Sequence, residues 1–180
     1  MSFKGTRMPV KTVLLHKSFF QGTADNKYFV DYQNLSDDHF DLLMDFVDDV
    51  LGGKEMKGRN KPSWHDKSGK DIPKALAYKQ CEVWHYHAGP HDEDAVAYTL
   101  NVRIPNYDNN TSDAVIHYSW LGEEQCQIAI LGFSPQHESF PLPSDKGNPL
   151  RSRMAIGGKI PSISLVNYKS NDEDTDQKAS

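Results

Sequence analysis

The clearest helix in this sequence runs from Ser36 to Leu51, and it leaves few folds open to the rest of the chain. Phe40, Leu43, Met44, Val47, Val50 and Leu51 recur at the three-four spacing of a single buried stripe. Ser36 is a natural N-cap, Asp37 and Asp38 favour the positive end of the helix dipole, and Gly52-Gly53 stops the helix. Everything else with a pattern is strand-like. Val10 to Phe20 precedes the helix; Gln80 to Ala88, Val96 to Ile104, Ala114 to Leu121 and Gln127 to Phe133 follow it, and Ile160 to Tyr168 makes a last edge strand. Gly122-Glu123-Glu124 is a hairpin connection. The order predicts an α+β fold: an antiparallel sheet of about four to five strands packed by the N-terminal helix. Prolines 135, 141 and 143 exclude a further central strand directly after Phe133.

Length and charge set the outer limits. The 180 residues suit one domain, expected over 10–168, with polar ends at 1–9 and 169–180 expected to be disordered. No apolar run approaches the ~20 residues that span a bilayer, so no membrane segment is expected. The basic residues of the first eleven positions lead into no long apolar run, so no secretory signal is expected. Cys81 and Cys126 suit reduced thiols. Together these point to a cytoplasmic protein. The net charge is −5, but it is unevenly spread. Ser36 to Gly53 carries six aspartates and no Lys or Arg, whereas Lys54 to Lys79 holds eight Lys/Arg against three acids. The whole argues against a nucleic-acid binder; the local excess permits one. Lys54 to Asp71 is long and polar, with Ile72 to Leu76 adding a turn of helix from Pro73.

The chemistry concentrates around Trp84-His85-Tyr86-His87-Ala88-Gly89-Pro90-His91. Strand alternation puts His85 and His87 on one face and Trp84 and Tyr86 on the other. With His91 past the turn, the triplet suits a metal, since neutral imidazoles ligate Zn, Fe, Ni or Cu. It departs from the metal-cupin pattern, because His91 stands where the acid belongs and no glycine-rich motif surrounds His117. The alternative is a metal-free ribonuclease site. Cleavage through the 2′-hydroxyl needs a base, an acid and a cation on the phosphate; histidines supply the first two and Lys or Arg the third. His87, His117 and His137 lie on or just after consecutive strands, so they can converge on one surface. Arg59 and Lys61 are candidate phosphate contacts, and Trp64 beside them a candidate base-stacking residue. Taken singly, His16, His39, His85 and His117 each have an ordinary structural explanation.

On these residues the chain resembles the RelE/ParE toxin superfamily, nearest the YafQ-type mRNA endonuclease branch. His65 in Lys-Pro-Ser-Trp-His matches that branch's loop histidine. His87 with Asp92 or Asp94 matches its strand histidine and following aspartate, and His137 with Phe140 its last histidine and phenylalanine. The resemblance covers 10–142; the chain is longer and more acidic than such toxins, and its histidine-to-phenylalanine spacing is shorter. It implies a RelE-like sheet and a toxin-like endoribonuclease without a cofactor. His87, His137, His65, His117 and Asp92 or Asp94 would be catalytic, and Arg59, Lys61 and Phe140 would bind RNA. It also implies RNA, including ribosome-bound mRNA, and a protein antitoxin as partners. Two rival expectations are a non-catalytic binding protein of the same fold and a His-ligated metal enzyme.

Overall fold

The computed structural model describes residues 9–108, 110–122, 124–137, 140–154 and 159–171. The fold is α+β, built on one six-stranded sheet. Its elements in chain order are β1 Thr12–His16, α1 Lys17–Phe20, α2 Asp37–Gly52, β2 Asn60–Pro62, α3 Leu76–Gln80, β3 Val83–Gly89, β4 Ala114–Leu121, β5 Gln127–Ser134 and β6 Leu165–Ser170. Across the sheet the strands run β2-β3-β4-β5-β1-β6.

The sheet is mixed rather than antiparallel. β1 runs parallel to β5, from Thr12 opposite Gln127 to Leu15 opposite Ile130, while the remaining neighbours are antiparallel. Strand direction here follows the chain path between β1 and β5, which crosses the sheet through α2. A run of buried residues such as Ile128 to Phe133 carries no mark of it. The expected strand at Val96 to Ile104 does not form. Both edges of β3 are already taken, by β2 and β4, so this segment finds no ladder; only Thr99 bridges, to Met56. Val96, Tyr98, Leu100 and Ile104 remain exposed. The first strand is shorter than expected, because α1 starts directly after it, with His16 Nδ1 accepting the Ser18 N–H at 3.1 Å. At the other end β6 extends to Ser170, so 169–170 belong to the sheet, and Asn171 N–H bonds the Lys11 carbonyl just beyond it. The acidic residues from Asp172 onward, residues 1–8 and Glu123 lie outside the described residues. Cys81 and Cys126 form no disulfide and are half-buried, just before strands β3 and β5.

α2 forms where its pattern places it, with Ser36 Oγ capping the His39 N–H and Gly53 at φ 62° closing the C-terminus. Its stripe packs on Val13, Leu15, Tyr86, Ile116, Tyr118, Ile128 and Ile130. Phe46 stacks on Tyr86 with ring centroids 5.2 Å apart. The opposite face of the sheet is covered as well. Leu14, Val83, Ala129 and Leu131 meet Phe29, Tyr78 of α3 and Leu150. Tyr78 Oη donates to the Pro141 carbonyl at 2.6 Å and accepts from Asn148 Nδ2 at 2.9 Å, which ties the segment after β5 down onto this face. This second cover, made of loops and short helical turns, is where the histidines lie.

Candidate functional site

Alternation along β3 turns His85 and His87 away from α2, toward the face covered by the 140–154 segment. β4 brings His117 directly opposite His85 in register. β5 ends at Ser134, and His137 follows three residues later. The ring centroids of His87 and His137 are 4.4 Å apart, those of His85 and His87 5.7 Å, and those of His85 and His137 6.1 Å. Phe140 touches three imidazoles, at 4.6 Å from His85, 5.6 Å from His117 and 5.7 Å from His137. Two residues fifty positions apart, His87 and His137, thus share one site with Phe140, as the sequence led us to expect.

Each imidazole is held by a specific partner. Ser63 Oγ lies 2.9 Å from His85 Nδ1, and Ser134 Oγ lies 2.8 Å from His117 Nε2. His87 Nδ1 faces both backbone groups of Ser112: it accepts from the N–H at 2.9 Å and lies 3.0 Å from the carbonyl. Either tautomer of His87 is therefore satisfied, and the carbonyl also supports an imidazolium. The other nitrogens of these rings, His85 Nε2, His87 Nε2 and His117 Nδ1, are buried without a hydrogen-bond partner among the described residues. Unpaired buried nitrogens are costly, and such groups gather at functional sites.

Burial keeps the cluster neutral. It lowers His87 and His117 each to about 3, with neighbouring His137 adding to the effect, and drives His85 well below its ordinary value. His137 is half-buried, and burial lowers it too, helped by Arg59 and Lys61 and opposed by Asp113. Cations border the cluster. Lys61 of β2 pairs in register with His85, so it stands on the same face; burial, with Arg59 second, lowers its ammonium to about 8. Its Nζ donates to the His65 carbonyl at 2.6 Å, and Arg59 Nε donates to the Asp108 carbonyl at 2.8 Å.

The remaining expected residues lie elsewhere. His65 Nδ1 bonds Tyr107 Oη at 2.7 Å and its Nε2 lies 3.2 Å from Asp71. It lines a separate groove of about 950 Å³ with Trp64, Trp84, Trp120 and Arg103, beside the opposite side chains of β3. Asp92 and Asp94 are exposed after β3; Asp92 acts on His91, and the carboxylate whose charge reaches His137 is Asp113. The His85-His87-His91 triplet is not the cluster that forms. One ring nitrogen each of His85, His87 and His137 lies within 4.8 Å of the others, so His137 takes the place expected of His91. Ser63, Ser112 and Asp113 had no sequence signal, since each acts only through the register of β2 or the start of β4.

A smaller cavity of about 350 Å³, lined by Phe29, Ser134, Gln136, Pro141 and Asn148, adjoins His117, whose ring contacts Phe29 and Ser134. No helix among the described residues is long and apolar enough to cross a membrane. No protein-family model, no curated protein and no solved structure matches this chain.

Proposed function

We propose that the protein is a toxin-like endoribonuclease that cleaves RNA by metal-free acid–base transesterification at His87 and His137. The observation that carries this reading is the 4.4 Å approach of those two rings beside a cationic rim made by Arg59 and Lys61. Two imidazoles with nitrogens less than 5 Å apart reach the attacking and leaving oxygens of one phosphate.

In the proposed step His87 Nε2 accepts the 2′-hydroxyl proton while its Nδ1–H donates to the Ser112 carbonyl. The 2′-oxygen bonds to phosphorus, the P–O5′ bond breaks, and protonated His137 gives its proton to the departing 5′-oxygen. The products are a 2′,3′-cyclic phosphate and a 5′-hydroxyl. Lys61 and Arg59 oppose the charge of the phosphorane. Both imidazoles are neutral in the free protein, so the bound phosphate also acts on the acid, its negative charge raising His137 toward protonation. Phe140 packs against the rings of His85, His117 and His137. His117 and His85 position the others through packing.

Support for a RelE-like reading is the order of strand, helix, basic edge strand and three-strand antiparallel run, with His87, His137 and Phe140 at the end of that run. The same reading extends the proposal to a protein antitoxin and to mRNA on the ribosome as substrate. The test is cleavage of an RNA oligonucleotide, alone and with translating ribosomes, in the presence of EDTA. His87→Ala and His137→Ala should each lose about 10²–10⁴-fold, whereas His39→Ala, half-buried in the first turn of α2 against Phe133 and away from the cluster, should cleave normally. Full activity in both mutants, or activity that EDTA abolishes, would sink the assignment.

A further inference from the structure

We propose that His85, His87 and His137 form a three-imidazole site for a zinc-class divalent ion, and that the bound ion holds the cluster inactive. The site is built from two directions. The first is the ligand set. One nitrogen of each ring lies within 4.8 Å of the others, and the Nε2 atoms of His85 and His87 are buried and unpaired. The second is the outer shell. Metal-binding histidines hand their other nitrogen to a hydrogen-bond partner that fixes the ring. His85 does so to Ser63 Oγ at 2.9 Å, and His87 to the Ser112 carbonyl at 3.0 Å.

The donor set selects the metal. Three nitrogens and no carboxylate suit Zn²⁺, Co²⁺, Ni²⁺ or Cu²⁺ and exclude Mg²⁺ or Ca²⁺ as the preferred ion. In a tetrahedral site with Zn–N of about 2.0–2.1 Å the nitrogens stand roughly 3.4 Å apart, so the cluster must tighten. His85 and His87 are fixed on β3. His137 sits on the irregular segment after β5, outside the ladder, and is the ligand that moves in. The charges of Arg59 and Lys61 reach His137, so they repel a bare ion but favour an anion as its fourth ligand, such as chloride or phosphate. Silencing follows from the lone pairs. An ion on His87 and His137 takes the nitrogens that would move protons. That half of the proposal rests on the acid–base reading; the binding half does not.

Titration of the chelator-stripped full chain with Co²⁺ and then Zn²⁺ tests the site directly. The expected result is one equivalent bound, with the strong visible bands of four-coordinate cobalt, bleached as zinc displaces it. Affinity should fall at least about 100-fold in His137→Ala and His85→Asn, and about 10–100-fold in Ser63→Ala. It should be unchanged in His91→Ala. His137→Ala removes a half-buried side chain from an irregular segment, so it reports even where His85→Asn fails to fold. Binding below one equivalent, binding indifferent to His137→Ala, or loss in His91→Ala overturns the site. RNA cleavage measured on the same samples should stop with zinc and return with EDTA. Cleavage that continues with one zinc bound overturns the silencing. Absence of cleavage under every condition counts against the ribonuclease, and the cobalt spectrum still decides the metal.

Discussion

Lys61 shows how one residue's burial sets a working range. Its position on β2, opposite His85, forces a four-carbon amine into the sheet margin, where desolvation brings its ammonium to about 8. A lysine lowered in this way is largely charged near neutrality and loses its charge as pH rises through 8. Phosphate affinity should therefore weaken from pH 7 to pH 9, over a range where an ordinary lysine near 10.4 stays charged. RNA binding by the His137→Ala protein, followed by fluorescence anisotropy, isolates this effect from cleavage. Lys61→Arg should flatten the profile, because a guanidinium keeps its charge. An unchanged profile in wild type and Lys61→Arg would remove Lys61 from the phosphate site. His87 illustrates the complementary device: a backbone carbonyl and a backbone N–H of Ser112 both within 3.0 Å of one nitrogen let the ring exchange one hydrogen bond for the other as it switches tautomer.

Among the elements, the cover over the histidine face depends on one buried ion pair. Arg153 Nη2 donates to Asp31 Oδ1 at 2.8 Å and Oδ2 at 3.1 Å, and its Nη1 donates to the Leu131 carbonyl at 2.9 Å. Asp31 also accepts the Ala24 N–H at 2.9 Å. The pair thus joins three segments, the 22–31 loop, β5 and the 149–154 turn. Removing only the carboxylate leaves a buried guanidinium uncompensated, so Asp31→Ala should cost about 3–5 kcal/mol. Urea unfolding checks this, and a loss below about 1 kcal/mol, the range of an exposed pair, would show the pair to be dispensable. None of this was legible in the sequence, because neither residue lies in a patterned segment and the pair spans 122 positions. Legibility tracked local signals. α2 was readable from its cap and period, except that Phe46 is buried where the stripe was drawn through Met44. β4 and β5 were readable as apolar runs. Val96 to Ile104 misled because β propensity marks residues that suit a strand and says nothing of whether an edge is free. His87 and His137 were legible through strand order and Phe140 only through the family resemblance, whereas Ser63, Ser112 and Asp113 depend on register and were not.

For the whole molecule the decisive fact is that both faces of the sheet are buried, one by α2 and one by loops and short helical turns. A histidine on either face must then stay neutral. His16 is lowered to about 4 and His87 and His117 each to about 3, all mainly by burial, and His85 lies well below the ordinary value. The unfolded chain protonates the same groups near 6.5 and so binds more protons than the folded one between pH 6.5 and about 3. Stability is therefore complete above pH 6.5 and falls with acid. At pH 5 each such histidine withdraws on the order of 2 kcal/mol, so His16, His87 and His117 together withdraw about 6 kcal/mol, comparable to the whole stability of many domains. The urea midpoint, read from tryptophan fluorescence, should drop steeply from pH 7.5 to pH 5, and the fold should fail between pH 5 and 4. His16→Asn keeps a side-chain acceptor at the start of α1 but removes one titrating group, so its stability should fall less steeply by up to about 1.4 kcal/mol per pH unit. One equivalent of zinc should raise the midpoint at every pH in this range and leave the slope unchanged, because the histidines it takes are already neutral in the folded protein and release no proton. A urea midpoint indifferent to pH across this range would mean that the histidine face opens to water in the native protein, and with it both the neutral cluster and the site built from it would fall.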